Sequence, residues 1–305
     1  MLTYVIPVLA IVLLGAALRR MRRVPDGLFP AMEWFSFHVA FPALLFVGAA
    51  RLTLSASDAL DLSLAALLPT LLLTALVLLG LRFATRLPGP GRSSVVQGAV
   101  RPSSYFGLAV AALLFPPETT AMVMLALAIC LPAVNVIAVV ALAVWGHGDA
   151  SARGIARALA RNPIILATLA GLLFNLSGLP LPVPVAAALD ILADAALALG
   201  LLCVGGGLQF RRDGVRPLLL GATSALKLLV LPLLAVLVCR WLDASATVTV
   251  AACFYAALPT ASNAYIMARQ MGGDAPLMAS LVTWQTLAAA ATVPLAMQLP
   301  AWLAG

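Results

Sequence analysis

Charge is scarce in this sequence: acidic and basic residues together make up 10% of it, with two histidines and a single lysine, Lys227. An ordinary soluble domain carries about a quarter charged residues. With 63% hydrophobic residues and a mean hydropathy of +1.09, a soluble globule is excluded and a polytopic membrane protein is indicated. The four cysteines (Cys130, Cys203, Cys239, Cys253) lie in apolar stretches and form no CxxC pair, so they read as small packing residues. With so few histidines, no metal site is expected, and no cofactor motif is present. There is no GxxxxGK[ST], hence no built-in ATPase. Intramembrane proteolysis lacks its residues too. No HExxH occurs, no apolar segment carries GxGD, and His38, the one histidine in a span, has no serine-protease segment to partner. An enzyme is not expected, and no catalytic residue is assigned.

What the chain does have is long apolar runs. About 20 residues of helix cross a bilayer, and on that ruler ten segments stand out, at roughly 2–18, 30–50, 61–82, 95–115, 119–145, 163–178, 185–208, 217–240, 246–269 and 275–299. The first is followed, not preceded, by its arginines (Arg19, Arg20, Arg22, Arg23), the reverse of a signal peptide, and reads as a retained helix. Fourteen basic residues follow the odd-numbered segments, whereas only Arg51 and Arg240 lie on the other side. The positive-inside rule then predicts both termini outside the cytoplasm. The net charge of +7 is accounted for by this topology, and nucleic acid is not an expected partner. The lipid bilayer is.

An offset of about 157 positions brings landmarks into register. Pro7 and Gly15 meet Pro163 and Gly171, Phe46 to Gly48 meet Cys203 to Gly205, Pro102 meets Pro259, and Glu118 meets Asp274. The expected organisation is therefore a first repeat over 1–146, a cytoplasmic connection over 147–162 and a second repeat over 163–305. Five spans per repeat force the second copy to enter from the opposite face, the inverted plan common among secondary transporters. The fold class predicted is an all-α membrane protein of ten transmembrane helices, the fourth and ninth broken and crossing near the midplane.

The breaks are read from Pro102 in RPSSYFGL and Pro259 in ALPTASNAY, with Gly107 as a further hinge. A proline removes a donor and clashes with the preceding turn, and in lipid the freed groups need partners in protein or a lined cavity. Ser103, Ser104, Tyr105, Thr260, Ser262 and Asn263 are candidates to bind a substrate there, or only to repair the freed carbonyls. Lys227, deep in the eighth segment, is a candidate to neutralise an anion or to carry a proton. Arg101, just before the first break, is a second cationic candidate. Asn135 in LPAVNV offers substrate contact or an interhelical hydrogen bond. Glu33, His38, Asp190 and Asp194 are candidates for ion or proton coupling, against a plain reading as end-of-helix polar residues.

Several stretches resemble the auxin efflux carrier family of plant and bacterial transporters: FPALLF (41–46), RPSSYFGL (101–108), LPAVNV (131–136), RNPIILATLAGLLFNLSGLPLP (161–182), LKLLVLPLL (226–234) and ALPTASNAYIMARQMGGDA (257–275). The resemblance implies ten helices in inverted repeats, crossing breaks, and export of organic anions such as auxin, malate or malonate. It departs from the family at Ser103, where an asparagine is usual, and near Ala109, where a proline is frequent. The long loop of plant members is absent, as in a compact bacterial member of the cytoplasmic membrane. Expected partners are a small organic anion, H+ or Na+ where transport is coupled, and a second copy of the chain as a homodimer. A sodium- or proton-coupled symporter of the same fold remains the alternative. Neither 101–108 nor 257–268 holds a carboxylate, which argues against a cation antiporter.

Overall fold

A chain this apolar can satisfy its backbone in lipid only through helices or a closed barrel, and it uses helices. The computed structural model describes residues 2–21, 23–51, 56–84, 86–146, 163–208 and 216–304. In chain order these form α1 (Leu2–Arg20), α2 (Leu28–Ala50), α3 (Ala56–Phe83), α4 (Gly89–Val100), α5 (Ser104–Leu114), α6 (Pro117–Trp145), α7 (Pro163–Leu176), α8 (Val183–Gly206), α9 (Pro217–Trp241), α10 (Ala246–Ala257), α11 (Asn263–Gln270), α12 (Ala275–Ala296) and α13 (Leu299–Ala304). The expected connection over 147–162 lies outside the described residues.

Among the described residues, six stretches are long and apolar enough to cross a membrane: Leu28–Ala50, Ser57–Phe83, Pro117–Trp145, Val183–Gly206, Pro217–Trp241 and Ala275–Leu303. The predicted segments 95–115 and 246–269 are each two shorter helices, α4 with α5 and α10 with α11, separated by extended backbone. The sequence places both interruptions at the right prolines. It does not show that α4 begins as early as Gly89, because GPGRSS is too polar to register as apolar.

Each long helix is apolar on all sides, as a membrane span requires. In α3, Leu62, Leu73 and Val77 are buried, while Leu60, Leu71, Leu72 and Leu79 are exposed. Two helices contain a π turn, Ser36–Ala40 in α2 and Leu226–Val230 in α9. Both are followed at their second residue by a proline, Pro42 and Pro232. A proline ring clashes with the carbonyl four residues back, and the wider turn opens room for it.

Tight helix crossings are made by glycine. α1 packs on α8, and α7 packs on α2. A Cβ on Gly15 would collide with the Leu202 carbonyl, and one on Gly171 with the Phe46 carbonyl. Both members of these two contacts are 156 positions apart, Gly15 from Gly171 and Phe46 from Leu202. Gly15→Leu and Gly171→Leu should therefore each destabilise the protein by roughly 1–3 kcal/mol, the usual range for overpacking. Gly80→Leu, where an added Cβ meets nothing, should leave the melting temperature in detergent unchanged. An equal loss in all three would refute the close-crossing argument.

Candidate functional site

Pro102 has no N–H, so the Gly98 carbonyl loses its helical donor and α4 ends. Arg101 leaves the helix with ψ 115°, and Leu258 leaves α10 with ψ 138°, both extended. The two extended stretches lie antiparallel and pair with each other. Pro102 faces Thr260 in an isolated bridge, and the Ser103 N–H donates to the Pro259 carbonyl at 2.7 Å. Each break thus supplies a partner for the other.

Thr260 and Gln285 complete the repair. The Thr260 N–H donates to Gln285 Oε1 at 3.0 Å, and Gln285 Nε2 donates to the Gly98 carbonyl at 3.0 Å. Thr260 Oγ1 lies 2.8 Å from both the Gly98 carbonyl and Gln285 Oε1, with one proton to offer them. Both side chains are buried. Thr260, a candidate substrate ligand from the sequence, is instead committed to backbone repair. Gln285 is the residue the sequence reading missed; a carboxamide in the middle of an apolar span was the available signal, since it must find partners there.

On the other side of the paired breaks is a cavity of about 140 Å³ lined by Arg101, Pro102, Ser103, Ser104, Tyr105, Asn135, Ser262 and Asn263, with Phe37, Leu131 and Ala261. Six of the eight expected binding residues meet there. α5 starts at Ser104 and α11 at Asn263, so two helix N-termini border it, and their dipoles favour negative charge. Gly107, expected to be a hinge, serves a close approach: a Cβ there would press on the Leu258 side chain.

Arg101 supplies the charge. It is 4% exposed, and its Nη1 sits 2.7 Å from the Met267 thioether sulfur. Among the described residues no carboxylate lies against it, and none lines the cavity. A thioether is a weak acceptor for a group with five N–H donors.

Vestibules lie on either side. One, about 460 Å³, shares Phe37, Tyr105, Ser262 and Asn263 with the cavity and extends past Glu33 to Arg19. The other, about 740 Å³, is lined by Arg51, Glu118, Asp190 and Asp194. Arg51 grips Asp190 with two bonds, of 3.0 and 2.9 Å, a half-exposed pair of the kind worth at most about 1 kcal/mol. Between cavity and second vestibule, Phe41 stacks on Tyr105 with centroids 4.4 Å apart and an interplanar angle of 10°. Gly200 backs this pair; a Cβ on it would come within 2.7 Å of the Phe41 ring. Along α2 the order is Phe37 at the cavity, Phe41 in the stack, then Leu44, Val47 and Arg51 in the second vestibule. The stack thus stands between the cavity and the second vestibule along α2.

The remaining candidates sit elsewhere. Lys227 is fully buried, with Nζ 3.5 Å from the Ala256 carbonyl, and does not line the cavity. His38 stacks on Trp34 at 4.8 Å, its Nδ1 2.9 Å from the Trp34 carbonyl. Glu33 belongs to the first vestibule, Asp190 and Asp194 to the second.

Comparison with known proteins agrees with the geometry. Residues 150–297 match the family model described as membrane transport protein. A protein of Rhizobium meliloti (strain 1021), provisionally named a malonate transporter, is 28% identical over 297 residues, covering 95% of this chain and 92% of its own. Over its second half, residues 150–297, the chain is therefore similar to the membrane transport protein family, the auxin efflux carrier type its sequence resembles, and the two matches indicate a transporter and not an enzyme.

Proposed function

We propose that the protein moves a small organic anion across the bacterial cytoplasmic membrane by alternating access. Ten spanning helices form two inverted five-helix repeats in this reading, with α4–α5 and α10–α11 as the broken pairs that cross near the midplane. The matched glycine contacts at a common offset and the mutual pairing of the two breaks support the repeat. The observation that carries the substrate class is Arg101, a buried guanidinium with no carboxylate against it among the described residues, in an otherwise neutral, donor-rich cavity. A carboxylate accepts two parallel guanidinium bonds. Ser103, Ser104, Asn135, Ser262 and Asn263 supply uncharged hydrogen-bonding groups for the rest of the ligand.

Size narrows the class further. At about 140 Å³ the cavity is well below the roughly 300–1,000 Å³ of sites for drug-sized ligands, which favours a short dicarboxylate such as malonate or malate over an indole acid. The relative's name points the same way. With the arginine-rich ends cytoplasmic and both termini outside, the vestibule at Arg19 opens inward, so this conformation loads from the cell. An interior negative potential then drives an anion outward by about 2.3 kcal/mol per charge per 100 mV. Glu118, Asp190 and Asp194 in the outer vestibule disfavour its return.

The experiment is efflux of labelled malonate, malate and indole acetate from proteoliposomes under an inside-negative potential, with Asn263→Ala as control. Efflux of one short dicarboxylate, lost in the control, is the expected result; no flux of any anion by folded protein would remove the substrate class. In this reading the Phe41–Tyr105 stack is the outer gate, and it has its own test. All four native cysteines are buried, so a Ser104→Cys variant carries one accessible thiol. A membrane-impermeant thiol reagent should label it from the cytoplasmic side only, and from both sides once Phe41→Ala is added. Equal labelling from both sides without that change would contradict a closed stack.

A further inference from the structure

A lysine wholly inside a membrane bundle needs a physical reason, and the broken helix α10 provides one. The Ala256 carbonyl would ordinarily accept from the N–H of Thr260, four residues on. That N–H is committed to Gln285 Oε1. The break therefore leaves the Ala256 carbonyl without its helical donor, at the negative end of the α10 dipole. Lys227 Nζ, 0% exposed and 3.5 Å away, is what faces it. No carboxylate lies against Lys227 among the described residues. At the end of α4 the corresponding task is done by neutral groups, since the Gly98 carbonyl takes the Gln285 amide and the Thr260 hydroxyl. The two cut ends are thus treated differently, one by amide and hydroxyl, the other by a full positive charge.

Carbonyls at the C-terminal ends of interrupted helices are the ligands that coupled transporters present to Na+. Here a tethered ammonium is at such an end. Its position on the π turn Leu226–Val230 of α9, which packs against α10, holds it there.

We propose that Lys227 is a built-in cation for the cut end of α10, standing where an exchangeable alkali ion would otherwise bind, so that anion movement requires no Na+. This rests on the anion-transport reading above and decides its coupling. Lys227 is a positioning residue: it holds the helix end and touches no substrate.

The test is exchange of labelled for unlabelled malonate across proteoliposomes at zero potential, with Na+, K+ or choline as the cation on both sides. Wild-type exchange should be equal in the three media within about twofold. Lys227→Ser, which removes the ammonium and leaves space and a hydroxyl, should lose at least about tenfold in choline, the consequence of an unpaired buried carbonyl, and recover in Na+. Recovery by a cation is a readout that a merely structural role would not give. Wild-type exchange that depends on Na+ overturns the proposal and leaves anion transport standing, as does a Lys227→Ser loss identical in all three media. Should that variant fail to fold, the wild-type arm alone decides. Absence of wild-type exchange in every medium removes the transport reading, and this proposal with it.

Discussion

Arg101→Met is expected to abolish anion flux while leaving the protein as stable as wild type, or more so. The two effects separate because Arg101 is buried without a carboxylate partner among the described residues. Holding an unpaired charge out of water costs stability, so an apolar side chain beside Met267 relieves the fold. Flux falls because the substrate carboxylate loses its counter-charge in a desolvated cavity. Removing one member of a buried charged pair costs about 2–5 kcal/mol in binding, or at least about 30-fold. Arg101→Lys keeps the charge but not the two-pronged geometry and should retain partial activity, mainly as a raised KM. Flux and melting temperature measured on the same preparations check this. A stable Arg101→Met protein with wild-type flux would refute the substrate-class argument.

Gln285→Leu should have the opposite signature, a large loss of stability accompanied by loss of flux. Gln285 Oε1 accepts from the Thr260 N–H, and Nε2 donates to the Gly98 carbonyl. Leucine fills similar space and leaves the buried Thr260 N–H without a partner, at roughly 1–3 kcal/mol, and the Gly98 carbonyl with the Thr260 hydroxyl alone. Thr260→Val removes a hydroxyl from the same cluster. Because the two side chains bond each other and share the Gly98 carbonyl, their effects should be non-additive in a double-mutant cycle. Additive losses would mean that the two breaks are repaired independently, contrary to the bonds described here.

Much of this was legible in the sequence, and the reason is chemical. Proline in an apolar run is a physical statement about backbone donors, so Pro102 and Pro259 located both interruptions, and the small polar residues beside them located the cavity. Ser103, Ser104, Ser262 and Asn263 were found as neighbours of a proline; Asn135 was found as an isolated carboxamide in a span. What the sequence concealed was division of labour. Thr260 and Ser262 are two residues apart and look equivalent, yet the backbone has left the extended bridge and turned helical by Ser262 (φ −61°, ψ −32°), which sends one to the repair and the other to the cavity. Gln285 was hidden because its partners, Thr260 in one break and Gly98 at the end of α4, reach it only in the fold. Phe41 and Gly200 were hidden because an aromatic and a glycine in a membrane helix look ordinary until they are stacked. The coupling candidates Glu33, Asp190 and Asp194 read only as acids near helix ends, and the structure places them in vestibules rather than with the cavity.

The most direct test is a structure of the protein determined with malonate bound in a lipid environment. Ligand density is expected between the two breaks, with a carboxylate against the Arg101 guanidinium in place of the Met267 sulfur and the remainder near Ser103 and Asn263. Density in the vestibule of Arg51 and Asp190 instead, with Arg101 still resting on Met267, would contradict the paired helix breaks as the transport site.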